Sequence, residues 1–214
     1  MIDLMRLFTF KGAIFDLDGT LIDSEPAHLA AWQTLCRKYS LPVMTLEDRQ
    51  HLGGMSIFNI CKLLCEQNGR SELDHVAMAH EKNDLYRSKY LKEVPLHPYI
   101  ASLLQQAHAK GLKTAVATGS RLPETRYLLE KYLLLQCTDA IVTSDQVKHS
   151  KPAPDTYLIC AERLGLAPEH CVVFEDTELG LQGIKAAGMT AVKVSRDQII
   201  SDFINPPNLH HHLF

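Results

Sequence analysis

The sequence predicts an α/β fold: a parallel, Rossmann-like sheet flanked by helices, with an all-helical cap domain inserted after the first strand. Three observations lead there. From residue 98 to residue 194, short apolar runs of strand length alternate with amphipathic helical stretches, the pattern of strand-helix units winding a parallel sheet covered on both faces. A run of the same kind at residues 11–16 stands apart from the others. Between Asp23 and Leu91 the periodicity is helical throughout, so that span interrupts the alternation as an insertion.

The first strand, at about residues 11–16, ends in Asp16-Leu17-Asp18-Gly19-Thr20. Two carboxylates one residue apart share a face of an extended chain, and the glycine after them permits a tight turn. Ser24 is then an expected N-cap with Pro26 in the first turn, and Leu29, Trp32, Leu35, Cys36 and Tyr39 recur at helical spacing until Leu41-Pro42. Ser56 is placed to cap a second helix, with Ile57, Ile60, Cys61 and Leu64 on one face and Gly69 beyond its end. A third helical stretch covers about residues 71–91. Residues 24–91 are therefore expected to form the cap, and residues 1–23 with 92–214 the core domain.

Pro98 opens the next helix, with Ile100, Leu103, Leu104 and Ala107 inward and Gly111 as its stop. A strand at 112–117, a helix at about 123–134 and a short strand at 140–143 follow. Pro154 opens another helix, with Tyr157, Leu158, Ala161 and Leu164 inward and Gly165 at its end. A strand at 171–175, a helix at 179–187 closed by Gly188 and a strand at 190–194 complete the pattern. From Ser195 the periodicity fades, and Asn205-Pro206-Pro207 reads as loop.

At 214 residues, with 46% hydrophobic and 22% charged side chains, the chain has the composition of a soluble globular protein with room for one good core and a smaller second unit. A net charge of -3 and the lack of a basic cluster argue against a nucleic-acid partner. No apolar run approaches the roughly 18 residues of a membrane helix. The stretch from Met1 to Phe8 is interrupted by charge and has no small-residue cleavage site. A cytoplasmic protein without membrane contact, monomeric or weakly dimeric, is expected. Cys36, Cys61, Cys65, Cys137, Cys160 and Cys171 show no disulfide spacing and read as reduced packing residues. The run His210-His211-His212 is given no role.

Two carboxylates as near as Asp16 and Asp18 repel by about 4 kcal/mol at 4 Å in an effective dielectric of 20, so a cation or a proton is expected between them. Ligands of open parallel sheets bind beyond the carboxyl ends of the strands. Asp16, Thr118, Glu175 and Asp176 all fall at such ends, and Lys151 in the loop after another strand. Local packing does not require that arrangement.

Asp16-Leu17-Asp18-Gly19-Thr20, Ala117-Thr118-Gly119-Ser120, Lys151-Pro152-Ala153-Pro154-Asp155 and Phe174-Glu175-Asp176 resemble, in order and spacing, the four motifs of the haloacid-dehalogenase-type phosphatases. The resemblance implies phosphoryl transfer through a covalent aspartyl-phosphate. Asp16 is then the nucleophile and Asp18 the general acid and base, roles that need opposite protonation states. Asp176 and an Asp16 oxygen, with the Asp18 backbone carbonyl and Glu175 as a direct or water-bridged partner, are implied to hold Mg2+. Thr118, with Gly119 and Ser120, is implied to bind phosphate oxygens, and Lys151 to balance charge on phosphate and Asp16.

The insertion is similar to that of the β-phosphoglucomutase-like subgroup, through His28-Leu29-Ala30-Ala31-Trp32 and Lys82-Asn83-Asp84-Leu85-Tyr86. Such caps close over small phosphorylated substrates, which implies substrate contacts for His28 and Lys82. The subgroup's mutase pattern has an arginine that grips a distal phosphate where this chain has Ile57, a loss that disfavours a bisphosphate intermediate. Residues 145–155 and 171–176 look like bacterial sugar phosphatases that hydrolyse fructose-1-phosphate and 6-phosphogluconate. A hexose-phosphate mutase and a non-catalytic phosphometabolite-binding module are the alternatives. Dehalogenase chemistry needs neither Asp18 nor the Glu175-Asp176 pair.

Overall fold

The computed structural model describes residues 2–52 and 55–204. Six strands, β1 (Gly12–Phe15), β2 (Lys113–Ala117), β3 (Ala140–Val142), β4 (Cys171–Glu175), β5 (Thr190–Ser195) and β6 (Gln198–Ile204), form one sheet in the order β3-β2-β1-β4-β5-β6. The first five pair in parallel and β6 runs antiparallel to β5. Every residue of β1 and of β4 is buried, as central strands covered on both faces must be.

By compactness the chain divides into two units, one made of the chain up to Asp23 and from Leu96 on, the other of Ser24–Pro95. In the first, α1 (Leu4–Leu7), α6 (Pro98–Ala109), α7 (Leu122–Lys131), α8 (Asp155–Leu164) and α9 (Glu178–Ala186) accompany the sheet. Ile14, Ala115, Val142, Tyr157, Val173 and Ile184 form one core cluster. Phe15 and Phe174 stack on each other at 4.4 Å between neighbouring strands. Gly165 ends α8 in the left-handed conformation, φ 68°, a geometry that a side chain would strain.

The second unit contains α2 (Glu25–Lys38), α3 (Leu46–His51), α4 (Ile57–Gln67) and α5 (His75–Leu85), with a π turn at Tyr86–Tyr90 and a 3-10 turn at Leu91–Glu93. Trp32, Leu35, Cys36, Met44, Ile60, Cys61 and Met78 make a core of its own, with Ile57 packed against it. Helical turns persist to Glu93, and the chain returns to the first unit at Pro95–Leu96.

Several expectations are corrected. Ser24 makes no side-chain cap bond; it is buried in a helical conformation and only its carbonyl accepts, from His28 N. Ser56 does cap α4, accepting from Asn59 N at 3.2 Å, and Asp74 caps α5 by accepting from Val76 N and Ala77 N. Leu158 is 39% exposed, and the inward face of α8 is Tyr157, Cys160, Ala161 and Leu164. Where the pattern fades after Ser195, Arg196 and Asp197 turn the chain with positive φ into β6. All six cysteines are free, Cys137 half-buried and the rest buried. Among the described residues, no helix is long and apolar enough to cross a membrane. Gly53 and Gly54 of the insertion's loop, the Asn205-Pro206-Pro207 loop and His210-His211-His212 lie outside the described residues.

Candidate active site

The register of the three central strands sets the site. Phe15 pairs with Val116 on one side and Phe174 on the other, so the next residues, Asp16, Ala117 and Glu175, end their strands at one level. Asp16 continues the ladder, its N–H donating to Phe174 O at 2.9 Å. Thr118 N donates to Val142 O at 3.0 Å. Parallel pairing thus delivers Asp16, Thr118, Glu175 and Asp176 to one edge.

Lys151, from the loop before α8, joins them. Its ammonium donates to Asp16 Oδ1 at 2.6 Å and to Glu175 Oε2 at 2.8 Å. Glu175, fully buried, also accepts from the Tyr157 hydroxyl at 2.8 Å on the same oxygen, and from Thr177 N at 2.9 Å and Thr177 Oγ1 at 2.7 Å on the other. Four donors occupy this carboxylate, which is therefore rigid. A Cβ on Gly180 would lie 2.1 Å from Glu175 Cδ, so α9 approaches the carboxylate only because residue 180 has no side chain. Gly180→Ala is expected to cost about 1–3 kcal/mol, a fall of about 3–10 °C in Tm by calorimetry, since the locked glutamate cannot swing aside. An unchanged Tm would show that it can.

Asp18 lies on the other flank. Ser120 Oγ donates to its Oδ2 at 2.6 Å and Thr118 Oγ1 at 3.3 Å, while Ser120 N donates to Thr118 Oγ1 at 3.0 Å. Asp176 receives the Thr20 hydroxyl at 3.4 Å. Gly19 has φ +83°, and a Cβ there would meet Asp176 Oδ2 at 2.2 Å. Both facts require glycine after Asp18. One oxygen each of Asp16, Glu175 and Asp176 lies within 4.8 Å of the other two.

Electrostatics follow from that crowding. Burial, then the charges of Glu175, Asp176 and Asp18, push Asp16 well above the usual carboxylate range despite Lys151. Burial and Glu175 push Asp176 up to about 7. Against the cost of burial, Lys151 and the Thr177 donors hold Glu175 below its usual value. The Lys151 ammonium, although largely shielded from solvent, is kept charged by Asp16 and Glu175. One lysine does not neutralise four carboxylates. The donors are all hard oxygens, the set that suits a divalent cation of the Mg2+ kind.

A sequence model of the haloacid dehalogenase-like hydrolases matches residues 13–194, a span holding every residue of this constellation. The chain belongs to that family. It is 40% identical over 185 residues to the fructose-1-phosphate phosphatase YqaB of Escherichia coli K12, covering 86% of this chain and 96% of that protein. It is 30% identical over 194 residues to the β-phosphoglucomutase of Bacillus subtilis, covering 88% and 84%. A crystal structure of the β-phosphoglucomutase of Clostridium difficile superposes with a TM-score of 0.75 at 27% identity, covering 87% of this chain and 85% of that one. Among haloacid dehalogenase-like hydrolases, this chain is a phosphatase.

Within this family member, His28 and Lys82 belong to the inserted unit and meet there. The Lys82 ammonium, itself buried, stands 2.8 Å from His28 Nδ1, and the imidazole stacks on Tyr86 at 4.0 Å. Burial and the Lys82 charge hold His28 well below the usual histidine range, so its ring is neutral and Nδ1 accepts. Gly119 is exposed beside Thr118, which is buried. Sequence reasoning did not find Thr20, Tyr157 or Thr177 as partners of the acidic cluster. Thr177 carried a signal, since its hydroxyl also caps α9 at Gly180 N and a threonine opening a helix is a recognisable cap. Tyr157 was legible only as an inward position.

Proposed function

We propose that the protein is a Mg2+-dependent phosphatase that hydrolyses a small sugar phosphate through a phosphorylated Asp16. The observation that carries this reading is the pairing of Asp16 Oδ1 with Lys151 at the end of the central strand, with Asp18 two residues on held by separate hydroxyl donors. The two aspartates thus have different partners, as nucleophile and acid/base require.

Asp16 would attack phosphorus and form the acyl phosphate, while the leaving alkoxide takes a proton from Asp18. Asp18, then ionised, would remove a proton from the water that attacks the phosphorus of the acyl phosphate, returning Asp16 and releasing inorganic phosphate. The Thr118 hydroxyl and backbone N–H groups at Gly119 and in the turn after Asp16 would hold the phosphoryl oxygens, with Ser120 beside them, and Lys151 would offset charge on them and on Asp16. Asp16, Asp176 and the Asp18 carbonyl would hold Mg2+, which when bound supplies the charge neutralisation that lets an anionic nucleophile meet an anionic phosphate. Glu175, with its four donors, would act from behind these ligands rather than among them. His28 and Lys82 would contribute substrate contacts. The enzyme would work in the cytoplasm on a diffusible metabolite, as a monomer or weak homodimer, with no nucleic-acid or membrane partner.

The likeness to a fructose-1-phosphate phosphatase supports fructose-1-phosphate as the type of substrate, and the resemblance carried by residues 145–155 and 171–176 adds 6-phosphogluconate. A second reading, a hexose-phosphate mutase, is favoured by the likeness to β-phosphoglucomutases and opposed by Ile57, whose side chain packs into the core of the inserted unit. Phosphate release is the deciding measurement, from fructose-1-phosphate, 6-phosphogluconate and β-glucose-1-phosphate, with Mg2+ and with chelator. Metal-dependent release from one or both of the first two is expected. Consumption of β-glucose-1-phosphate without release would establish the mutase, and no reaction with any of the three would overturn the proposed substrate class.

A further inference from the structure

Tyr157 is a fully buried core residue of α8, with its ring so close to α9 that a Cβ on Gly183 would come within 3.0 Å of it. Phenylalanine would fill the same space. A phenol in such a place adds only its hydroxyl, and a buried hydroxyl costs free energy unless it is hydrogen-bonded. Here it donates to Glu175 Oε2 at 2.8 Å, the oxygen that also accepts from Lys151 at 2.8 Å.

That shared oxygen links Tyr157 to the nucleophile. The Lys151 ammonium bridges Asp16 Oδ1 at 2.6 Å and Glu175 Oε2 at 2.8 Å, with a longer bond to Ala117 O at 3.4 Å, and lies 5.2 Å from the centre of the Tyr157 ring, which phenylalanine would keep. A second donor on Oε2 satisfies part of its demand and limits how strongly Glu175 draws the ammonium to itself. Thr177 fixes the other end of the carboxylate, so the position of Oε2 is set and only the sharing is adjustable. Resting on the proposed function, we infer that Tyr157 is a positioning residue for phosphoryl transfer, whose hydroxyl keeps the Lys151 ammonium on Asp16. Without it, Oε2 has Lys151 as its remaining donor among these four, and Nζ moves toward Glu175. Tyr157 touches no reacting atom, so substrate binding is not its concern.

The experiment compares wild type, Tyr157→Phe, Glu175→Gln and the double variant, using the sugar phosphate that wild type hydrolyses best. Tyr157→Phe is expected to lower kcat about 10-fold with KM within about 2-fold. In the Glu175→Gln background the same change is expected to lower the residual rate by less than about 2-fold, because a residue acting through Glu175 has no separate effect once that carboxylate is gone. Equal losses in both backgrounds, or a Tyr157→Phe enzyme with wild-type kcat, would reduce Tyr157 to a packing residue. A readout independent of turnover is the Lys151 ammonium resonance in heteronuclear NMR. In Tyr157→Phe its through-space contact with the Asp16 methylene is expected to weaken relative to that with the Glu175 methylenes, and an unchanged ratio of the two would overturn the inference. A wild type that releases no phosphate would sink the proposed function instead, and that ratio would still decide whether the phenol sets the lysine.

Discussion

Asp16→Asn is expected to abolish phosphate release, lowering kcat by at least about 10^4-fold, while leaving the folded protein as stable as wild type or more so. The amide has nearly the shape of the carboxylate but cannot form the phospho-acyl bond, so the covalent route is closed rather than slowed. Stability moves the other way for a reason visible in the site. Burial and three neighbouring carboxylates disfavour the charge on Asp16, and Lys151 does not outweigh them. Removing that charge relieves the repulsion, and Lys151 retains Glu175 as its partner. Sites of this kind sacrifice stability for function, and neutralising them commonly recovers some of it. Rate and Tm measured on the same preparation separate the outcomes. Appreciable turnover would end the nucleophile assignment, and a large fall in Tm would mean that the Asp16–Lys151 pair stabilises the fold more than its crowding opposes it.

How much of this was legible without coordinates depended on what a side chain answers to. Ile14-Phe15-Asp16 and Val173-Phe174-Glu175-Asp176 are short apolar runs that end in charge, and parallel pairing leaves few places for such an end except a cleft at the strand termini. Strand assignment therefore put Asp16, Thr118, Glu175 and Asp176, residues of the motifs, at or just past strand ends, and the register of β1, β2 and β4 leaves Asp16 and Glu175 at one level. The edge strand β6 was missed because it is mostly exposed, so it has no buried face to generate alternation. Its hairpin turns on Arg196 and Asp197, φ 45° and 62°, where Asn-Gly would have announced it. Helical phase placed Tyr157 inward correctly and Leu158 wrongly, since adjacent positions differ by only about 100° around the axis. Phase gives the direction of a side chain but not what its tip meets, and Glu175 is 18 residues away. The sharing of one oxygen between Lys151 and Tyr157 is a tertiary fact with no local signature.

Removal of divalent metal is expected to lower turnover by at least about 10^3-fold, the equivalent of several kcal/mol of transition-state charge stabilisation. It should also give the metal-free protein an unusual dependence of stability on pH. Asp176 is pushed from 3.8 to about 7 by burial and by Glu175, and Asp16 is raised in the same direction. A carboxyl whose folded pKa lies above its unfolded value binds more protons folded than unfolded, so stability falls as pH rises between those two values. For Asp176 that window is roughly pH 4 to 7, and its three-unit shift corresponds to at most about 4 kcal/mol. Glu175, held below its usual 4.5, contributes in the opposite sense only under more acidic conditions. Metal-free protein is accordingly expected to melt about 5–10 °C lower at pH 7.5 than at pH 5. Saturating Mg2+ should remove most of that difference, because the cation takes the place of the protons and binds the folded form. Chelated enzyme that keeps a tenth of its turnover would rule out the metal requirement. A metal-free Tm that rises from pH 5 to 7.5 would show instead that the carboxylates at the end of β1 and β4 are already neutralised within the protein.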